Sequence, residues 1–484
     1  MINLKQGTKS IINYIYSFFY QMFLIIVPLI TAPYLARTLL PNAVGINSYV
    51  SSVVTIFTSL GLIGLNNYSL REIAYVRDDK EKLSKTFSEL FFLRMICLVC
   101  TSIIYIVYAL LSEYKIYFLI QLVAVLAVFV DIAWVYQGFE EFKVTVTRNF
   151  IVKILNILSI FIFIKGPDDL LLFMIISSIY SVFVNLILYF GIKKKIGKLI
   201  VKGIELKKHF LPTLKLFIPQ VASMVYLQCD KMMIKFLSQD ISYVGFYDQA
   251  ERIVKIPLTL ITALSIVMLP RVANEFKKNN KEKVKQHIIS SLKFSLLMAI
   301  PLMFGVIAIA PDFIPWFLGD GYEAVIPVMM MLSVIVLFIS LSSVIGNQYL
   351  TAINKTKILT IATISGAIIN CIINLILIPK FNAVGAAVGT IVAELTVFAI
   401  EMYYTKEIFK FKDLLQNSKN YLISGILMLL VTCIIGYYLE SSILTSIIQI
   451  SIGGMTYFIV LYILKDLFFF ECIDKVLRLL KLRK

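Results

Sequence analysis

The sequence places a group of ionisable residues inside two neighbouring hydrophobic stretches, the seventh and eighth along the chain. The group consists of Asp230, Lys231, Lys235, Asp248, Glu251, Arg252 and Lys255. Asp248 precedes Arg252 by four residues, and Glu251 precedes Lys255 by four, an order that favours ion pairs along a helix. One interpretation is therefore a set of structural ion pairs. The other is binding of an anionic group, because the cations outnumber the acids and both cation types bind phosphate oxygens.

A second charged pair lies in the fourth and fifth stretches. Asp131 comes ten residues before Glu141, near which we expect the chain to turn, and Lys153 comes twelve after it. At a rise of about 1.5 Å per residue, the two side chains reach similar depths on adjacent antiparallel helices. We expect either an ion pair between them or a Lys153 that faces a cavity. Arg37 adds a cation near the outer end of the first stretch.

Polar residues also follow helical spacing in the eleventh and twelfth stretches. Gly366, Asn370 and Asn374 lie four residues apart on one face of the eleventh, and Glu394 and Glu401 lie on the twelfth. Amides at this spacing join membrane helices more often than they bind sugar. The glutamates are candidates for coupling to a proton or sodium ion.

Several kinds of chemistry have no support in the sequence. The two histidines, His209 and His287, are predicted to lie in loops, and the six cysteines have no metal-ligand spacing. No phosphate-binding loop, nucleophile elbow or metalloprotease motif occurs. We therefore expect no metal, no cofactor and no enzymatic activity. The longest predicted outer loop, Asp312–Pro327, has no room for a catalytic domain.

The composition indicates that the helices carrying these ionisable and polar residues lie in a lipid bilayer. Of 484 residues 59% are hydrophobic and 15% charged, and the mean hydropathy is +0.87, which suits a lipid environment. Since helices satisfy their own backbone in lipid, we predict an all-α polytopic membrane protein of about fourteen spans. The apolar runs lie near 11–35, 43–64, 87–111, 116–137, 145–165, 169–192, 213–238, 242–268, 290–311, 325–349, 357–379, 384–405, 419–439 and 444–464.

Lysine and arginine residues set the predicted orientation. They concentrate in even-numbered loops, counted from the N-terminus, and in the C-terminal tail. These basic segments also account for the net charge of +17. The basic segments lie at 71–85, 193–208, 271–285, 406–419 and 478–484. By the positive-inside rule these segments and both termini are cytoplasmic, in a multi-pass protein of the cell membrane. Basic runs beside spans contact anionic membrane lipids, and we expect no nucleic-acid binding.

A short sequence echo suggests an internal repeat. Pro41-Asn42-Ala43-Val44-Gly45 resembles Ser242-Tyr243-Val244-Gly245 and Asn382-Ala383-Val384-Gly385, each at a predicted outer turn. The echo favours two six-helix lobes with a substrate path between them. The predicted division is 1–192 for spans one to six, 193–212 for a basic linker, 213–405 for spans seven to twelve, and 406–484 for spans thirteen and fourteen with the tail.

Long segments of the chain resemble one transporter family. The segments are ITAPYLARTLLPNAVGINSY, LGLIGLNNYSLREIAYVRD, DIAWVYQGFEEFKVTVTRNFIVK, IPQVASMVYLQCDKMMIKFLSQDISYVGFYDQAERIVK, LTAINKTK and INCIINLILIPKFNAVGAAVGTIVAE. In order, they resemble the Wzx-type oligosaccharide flippases, the polysaccharide transporters of the multidrug/oligosaccharidyl-lipid/polysaccharide exporter superfamily. The resemblance implies a V-shaped exporter with a MATE-like fold. It implies that a lipid-linked sugar repeat unit, carried on a polyprenyl diphosphate, is flipped outward for capsule or teichoic-acid assembly.

This substrate class gives the charged residues expected roles. The predicted substrate-binding residues are Arg37, Lys153, Asp230, Lys231, Lys235, Arg252, Lys255, Asn370 and Asn374. The predicted coupling or structural-pair residues are Asp131, Asp248, Glu251 and Glu394. Glycosyltransferases and the polymerase of the same pathway are the expected protein partners.

Other functions of the same fold class stay open at this point. A flippase for a lipid-linked peptidoglycan precursor would have nearly the same fold and electrostatics. A multidrug antiporter for cations calls for an acidic cavity, whereas the ionisable residues here are mainly basic. A membrane-bound polymerase or ligase would be expected to have a larger outer loop with candidate catalytic residues, and a helical scaffold would not need buried charges.

Overall fold

The computed structural model describes residues 2–197, 199–407 and 411–481. Every regular element in these ranges is helical, as expected for a backbone that satisfies its own hydrogen bonds in lipid. The chain forms two compact units, Met1–Gln228 and Cys229–Lys484.

The first unit contains eight helices and most of a ninth among its described residues. They are α1 (Ile2–Leu62), α2 (Leu65–Val76), α3 (Lys80–Leu111), α4 (Lys115–Ala127), α5 (Ala133–Gly138), α6 (Phe142–Phe163), α7 (Leu170–Leu186), α8 (Tyr189–Ile196) and α9 (Leu206–Leu237). Asp79 begins α3 by accepting hydrogen bonds from the backbone amides of Lys82 and Glu81. These bonds hold the pKa of the Asp79 carboxyl below its usual range.

The second unit begins inside α9 and contains the remaining described helices. They are α10 (Ser242–Lys277), α11 (Lys281–Leu318), α12 (Val325–Leu332), α13 (Ile335–Ser342), a π-helix (Ser343–Leu350), α14 (Thr356–Thr405), α15 (Phe411–Tyr438), α16 (Ile443–Ile463) and α17 (Leu467–Lys481). The last helices are tied to the rest of this unit. The Tyr457 hydroxyl of α16 donates to the Leu297 carbonyl of α11 at 2.9 Å.

The predicted all-α architecture with many spans is confirmed. In the described part of the chain, ten helical stretches are long and apolar enough to cross a membrane. Two of these are pairs of helices, because the backbone leaves helical geometry at Leu40 in α1 and at Asn382 in α14. The bent α10, whose halves meet at 43°, brings the number of candidate spans among the described residues to eleven.

The sequence echo marks three of these helix starts. Leu40 and Asn382 have positive φ angles of 64° and 50°, and each lies at or directly before a copy of the echo. The third copy begins at Ser242, the first residue of α10. The echo is therefore a local signal for beginning the next helix.

One predicted loop is mostly helix. The segment Asp312–Pro327 was expected to be the longest outer loop, but α11 continues through Leu318. Pro311 and Pro315 lie inside this helix. A proline removes one backbone donor without ending a membrane helix when neighbouring groups satisfy the freed carbonyls.

The turn between the two halves of α14 depends on close backbone contact at Gly385. A Cβ added there would lie 2.5 Å from the carbonyl oxygen of Leu377. We predict that Gly385→Ala lowers the stability of the detergent-solubilised protein by about 1–3 kcal/mol, because the backbone cannot move aside as a flexible side chain can. Gly454→Ala in α16 is the matched control, since a Cβ there meets no atom within 4 Å. Equal melting temperatures for the two variants would contradict the predicted contact.

Candidate functional site

The charged residues of α9 and α10 form one connected network. Lys231 Nζ lies 2.6 Å from Asp248 Oδ1 and 3.1 Å from Glu251 Oε2. Arg252 Nε lies 2.9 Å from Asp248 Oδ2, and Lys255 Nζ lies 2.5 Å from Glu251 Oε1. Both ion pairs predicted from the four-residue spacing are confirmed. Lys231 adds a cross-helix contact, because it bridges the two acids from the neighbouring helix.

The network retains a positive surplus at its exposed edge. Lys231, Arg252 and Lys255 share two acids, Asp248 and Glu251. The Lys231 side chain is 12% exposed, whereas those of Arg252 and Lys255 are 52% and 36% exposed. Arg252 contacts Asp248 through Nε, and its terminal nitrogens are the atoms suited to a bidentate bond with phosphate oxygens. The network is thus both a structural joint and a cationic surface.

Asp230 lies next to Lys231 in sequence but occupies a separate polar core. The Tyr247 hydroxyl donates to its Oδ2 at 2.7 Å, and the Asn374 amide donates to its Oδ1 at 2.6 Å. The Thr390 hydroxyl is 3.0 Å from Oδ2, and the Asn374 amide lies 3.2 Å from Asn370 Oδ1. The three predicted site residues Asp230, Asn370 and Asn374 are buried. They are brought together, but as an enclosed cluster rather than an open surface.

The partner of Asp131 differs from the predicted one. Its Oδ2 lies 3.1 Å from Arg94 NH2 on α3, and Arg94 NH1 also donates to Asn66 Oδ1 at 2.9 Å. Asp131 Oδ1 accepts from the Ala133 amide at 2.9 Å, because the fourth span breaks here and α5 begins at Ala133. This break directs the carboxylate towards α3. An ion pair between Asp131 and Lys153 was therefore the wrong alternative.

Lys153 lies instead at a cavity of about 420 Å³ between α6 and α7. The cavity is lined by Asn149, Val152, Lys153, Asn156, Ser177, Tyr180, Ser181, Val184 and Asn185. Apart from two valines, every lining side chain is polar. The alternative expectation, that Lys153 faces a cavity, is therefore the one that the structure supports.

Arg37 lies at a second cavity, of about 540 Å³, in the same unit. Its lining consists of Pro33, Tyr34, Arg37, Thr38, Lys165 and Pro167. The Tyr34 hydroxyl donates to the Ile164 carbonyl at 2.5 Å and so fixes the kinked helix α1 against the end of α6. This contact brings two cations, Arg37 and Lys165, to one opening.

The remaining predicted residues lie apart from these cavities. Lys235 is half-buried one turn beyond Lys231, and Glu394 is buried in α14. Glu401, seven residues further on, is buried against the π-helix. A Cβ added at Gly346 of that helix would lie 2.6 Å from Glu401 Oε1, so the carboxylate packs directly against this glycine. A coupling role for Glu394 stays a prediction.

Sequence reasoning overlooked the amides around Lys153. The α6 residues Asn149, Lys153 and Asn156 follow helical spacing, as do Ser177, Ser181 and Asn185 of α7. A search for polar stripes, rather than for charges alone, would have found the cavity. Arg94 carried no such local signal, because its partners Asn66 and Asp131 lie 28 and 37 positions away along the chain.

Two protein-family models match this chain. The family model described as "Polysaccharide biosynthesis protein" matches residues 10–276, more than half of the chain. The chain belongs to the polysaccharide biosynthesis protein family. A second model, MatE, matches residues 216–376. The predicted membership in the superfamily of Wzx-type flippases and multidrug exporters is confirmed.

One curated relative covers most of the chain. It is a putative O-antigen transporter of Escherichia coli strain K12, 24% identical over 389 residues. The match covers 79% of this chain and 93% of the relative. That protein is described as a transporter.

Two solved structures show the fold. The lipid II flippase MurJ in an inward closed conformation has a TM-score of 0.74 at 22% identity, over 94% of this chain and 98% of that one. An inward-facing multidrug resistance MATE family transporter has a TM-score of 0.64 at 13% identity, over 76% and 91%. The family member is thus an all-α, polytopic, MATE-like membrane protein, as predicted.

The Arg94–Asp131 contact gives a test of the site geometry. We predict that Arg94→Ala lowers stability by about 3–5 kcal/mol, because it leaves a carboxylate without its cation inside the span. Arg77→Ala removes the cation of the exposed Arg77–Glu140 pair and should cost at most about 1 kcal/mol. Thermal unfolding in detergent measures both. A melting temperature of the Arg94 variant equal to that of the Arg77 variant would contradict the assigned pair.

Proposed function

We propose that this protein flips a polyprenyl-diphosphate-linked oligosaccharide repeat unit from the cytoplasmic to the outer leaflet of the cell membrane. The product serves assembly of capsule, teichoic acid or another surface polysaccharide. The observation that carries the proposal is the cationic edge of the α9–α10 network in a member of a polysaccharide biosynthesis family. The O-antigen transporter relative supports the same substrate class.

In this proposal, cationic side chains bind the diphosphate head group of the substrate, and the polyprenyl tail stays in the bilayer. A diphosphate carries at least two negative charges, and a charge in hydrocarbon costs several kcal/mol unless it is matched. Arg252 and Lys255 have exposed side chains at the edge of the network, and Arg37 and Lys165 line one cavity. Within each unit, these cations replace water around a diphosphate that reaches them. Lys231 positions both acids and holds the edge in place.

The same electrostatics separate this proposal from the alternatives. A cation exporter needs surplus acid, whereas the α9–α10 network has three cations and two acids. A peptidoglycan-precursor flippase also handles a lipid diphosphate, and the structural likeness to such a protein extends to the fold alone. A transport assay that compares a lipid-linked oligosaccharide with a lipid-linked peptidoglycan precursor shows which of the two the protein flips.

The basic loops set the proposed orientation. Both termini and the basic segments lie in the cytoplasm, where lipid-linked repeat units are built. Glycosyltransferases and a polymerase of the same pathway are the proposed protein partners. The four-part division with boundaries at 192, 212 and 405 belongs to this proposal, with spans thirteen and fourteen appended to the second lobe.

Substitution of the exposed cations tests the proposal. Arg37→Ala, Arg252→Ala and Lys255→Ala should each reduce surface polymer about tenfold or more in a complemented deletion strain, because each removes a charge-assisted bond to the diphosphate. Lys283→Ala, in the exposed turn that begins α11, is the matched loss of one charge and should complement fully. Full complementation by all three site variants at equal protein levels would contradict the proposal.

Ion coupling is assigned to the Asp230 core. This carboxylate is 3% exposed and accepts bonds from Tyr247, Asn374 and Thr390, all neutral. No cation within ion-pair distance of it occurs in the described residues. A buried anion that has only neutral partners is stabilised by taking up a proton or a small cation. Such uptake gives the Asp230 carboxyl two charge states, at the point where α9, α10 and α14 meet.

A conservative variant tests this assignment. Asp230→Asn keeps the size of the side chain but carries no charge, so transport should no longer respond to an imposed proton or sodium gradient. The measurement is initial flipping rate in proteoliposomes with and without each gradient. Asp240→Asn, on the exposed turn before α10, should respond as the wild type does. An Asp230→Asn variant with the wild-type response would refute coupling at this site.

A further inference from the structure

The α6–α7 cavity is built as a polar binding site within the first unit. At 100° per residue, Asn149, Lys153 and Asn156 lie on one face of α6. The exposed apolar residues Leu155 and Leu158 lie on the opposite face. One side of α6 therefore faces lipid, and the other faces the cavity.

Helix α7 repeats the same division. Ser177, Ser181 and Asn185 line the cavity, and the exposed Ile179 and Phe183 lie on the opposite face. The polar faces of two neighbouring helices thus meet across about 420 Å³. A polar stripe of this length is expensive in hydrocarbon, so the cavity holds water or a polar ligand.

The lining has the chemistry of a saccharide site. Amide and hydroxyl side chains both donate and accept hydrogen bonds, as sugar hydroxyls do. Tyr180 is held in place by a 2.8 Å hydrogen bond between its hydroxyl and Ser159, so its ring presents a fixed surface. The volume falls in the range of small-ligand pockets, which is about 300–1,000 Å³.

Lys153 gives this cavity a charge preference. It is the one cation among the described lining residues, which include no acid. Lys153 is exposed at this open cavity, so its ammonium group is accessible to an anion that enters. A ligand with hydroxyl groups and one negative charge therefore fits better than a neutral one.

We infer that the α6–α7 cavity binds a sugar of the transported head group, with Lys153 against an anionic group of the same ligand. This inference rests on the proposed function and adds the recognition site for the saccharide. The anionic group is either the carboxylate of an acidic sugar or the diphosphate. The cavity selects substrates by their sugars, whereas the α9–α10 network contacts any diphosphate.

Binding and flipping of two synthetic ligands test the inference. The probes are short-chain polyprenyl diphosphates that carry either a glucose disaccharide or a disaccharide of glucose and glucuronate. Binding to the purified full chain is measured by calorimetry, and flipping is measured in proteoliposomes. The site variants are Lys153→Gln and Asn156→Leu. The controls are Lys143→Gln, which removes a charge from the exposed start of α6, and Leu158→Val on its lipid face.

The inference predicts a loss of affinity for both site variants. Asn156→Leu should weaken both ligands about tenfold, since a buried hydrogen-bonding partner is lost. If Lys153→Gln weakens only the glucuronate ligand, the charge recognised is the sugar carboxylate. If it weakens both ligands equally, the charge recognised is the diphosphate.

Wild-type affinity of both site variants for both ligands would overturn the inference, as would losses equal to those of the controls. The binding arm is independent of transport. If the wild type binds through Lys153 and Asn156 but flips neither ligand, the proposed function fails and the cavity assignment stands. If the wild type flips both ligands while the two variants bind and flip normally, the cavity assignment fails and the proposed function stands.

Discussion

The cost of placing charge in hydrocarbon governs the arrangement of this protein. An ionised side chain in the middle of a span must meet an opposite charge, a set of hydrogen-bond donors or water. The structure shows the first two solutions, and it places one further cation beside a cavity. Arg94 meets Asp131 across two helices, Asp230 accepts from neutral donors, and Lys153 lies at a polar cavity. Each solution positions a helix as well as a charge.

In the proposed function, the α9–α10 network is a structural contact that also serves binding. Lys231 bridges Asp248 and Glu251, so both acids are fixed before any ligand arrives. Arg252 and Lys255 are then held at the edge by the same acids. A pre-positioned cation loses less conformational entropy when an anion binds, which strengthens binding without any new contact. Under the proposed function, the ion pairs and the anion site are one structure rather than competing interpretations.

The sequence predicted interactions between residues close together in the chain better than interactions between distant residues. The pairs Asp248–Arg252 and Glu251–Lys255 follow from helical spacing alone, and both occur. The helix starts at the echo motif also follow from short patterns. The Arg94–Asp131 pair was missed because it joins residues 37 positions apart and depends on a break in the fourth span. Helix depth alone had suggested Lys153 as the partner, since depth does not tell which way a side chain points.

The account as a whole depends on the claim that the protein itself moves a lipid-linked saccharide across a bilayer. The most direct measurement uses wild-type protein in liposomes that contain a polyprenyl-diphosphate oligosaccharide on the inner leaflet, with an external glycosidase that cannot cross. The account predicts that the glycosidase releases sugar from the protein-containing vesicles at a rate that rises with the amount of protein. Release no faster than in protein-free vesicles, from a correctly folded preparation, would contradict it.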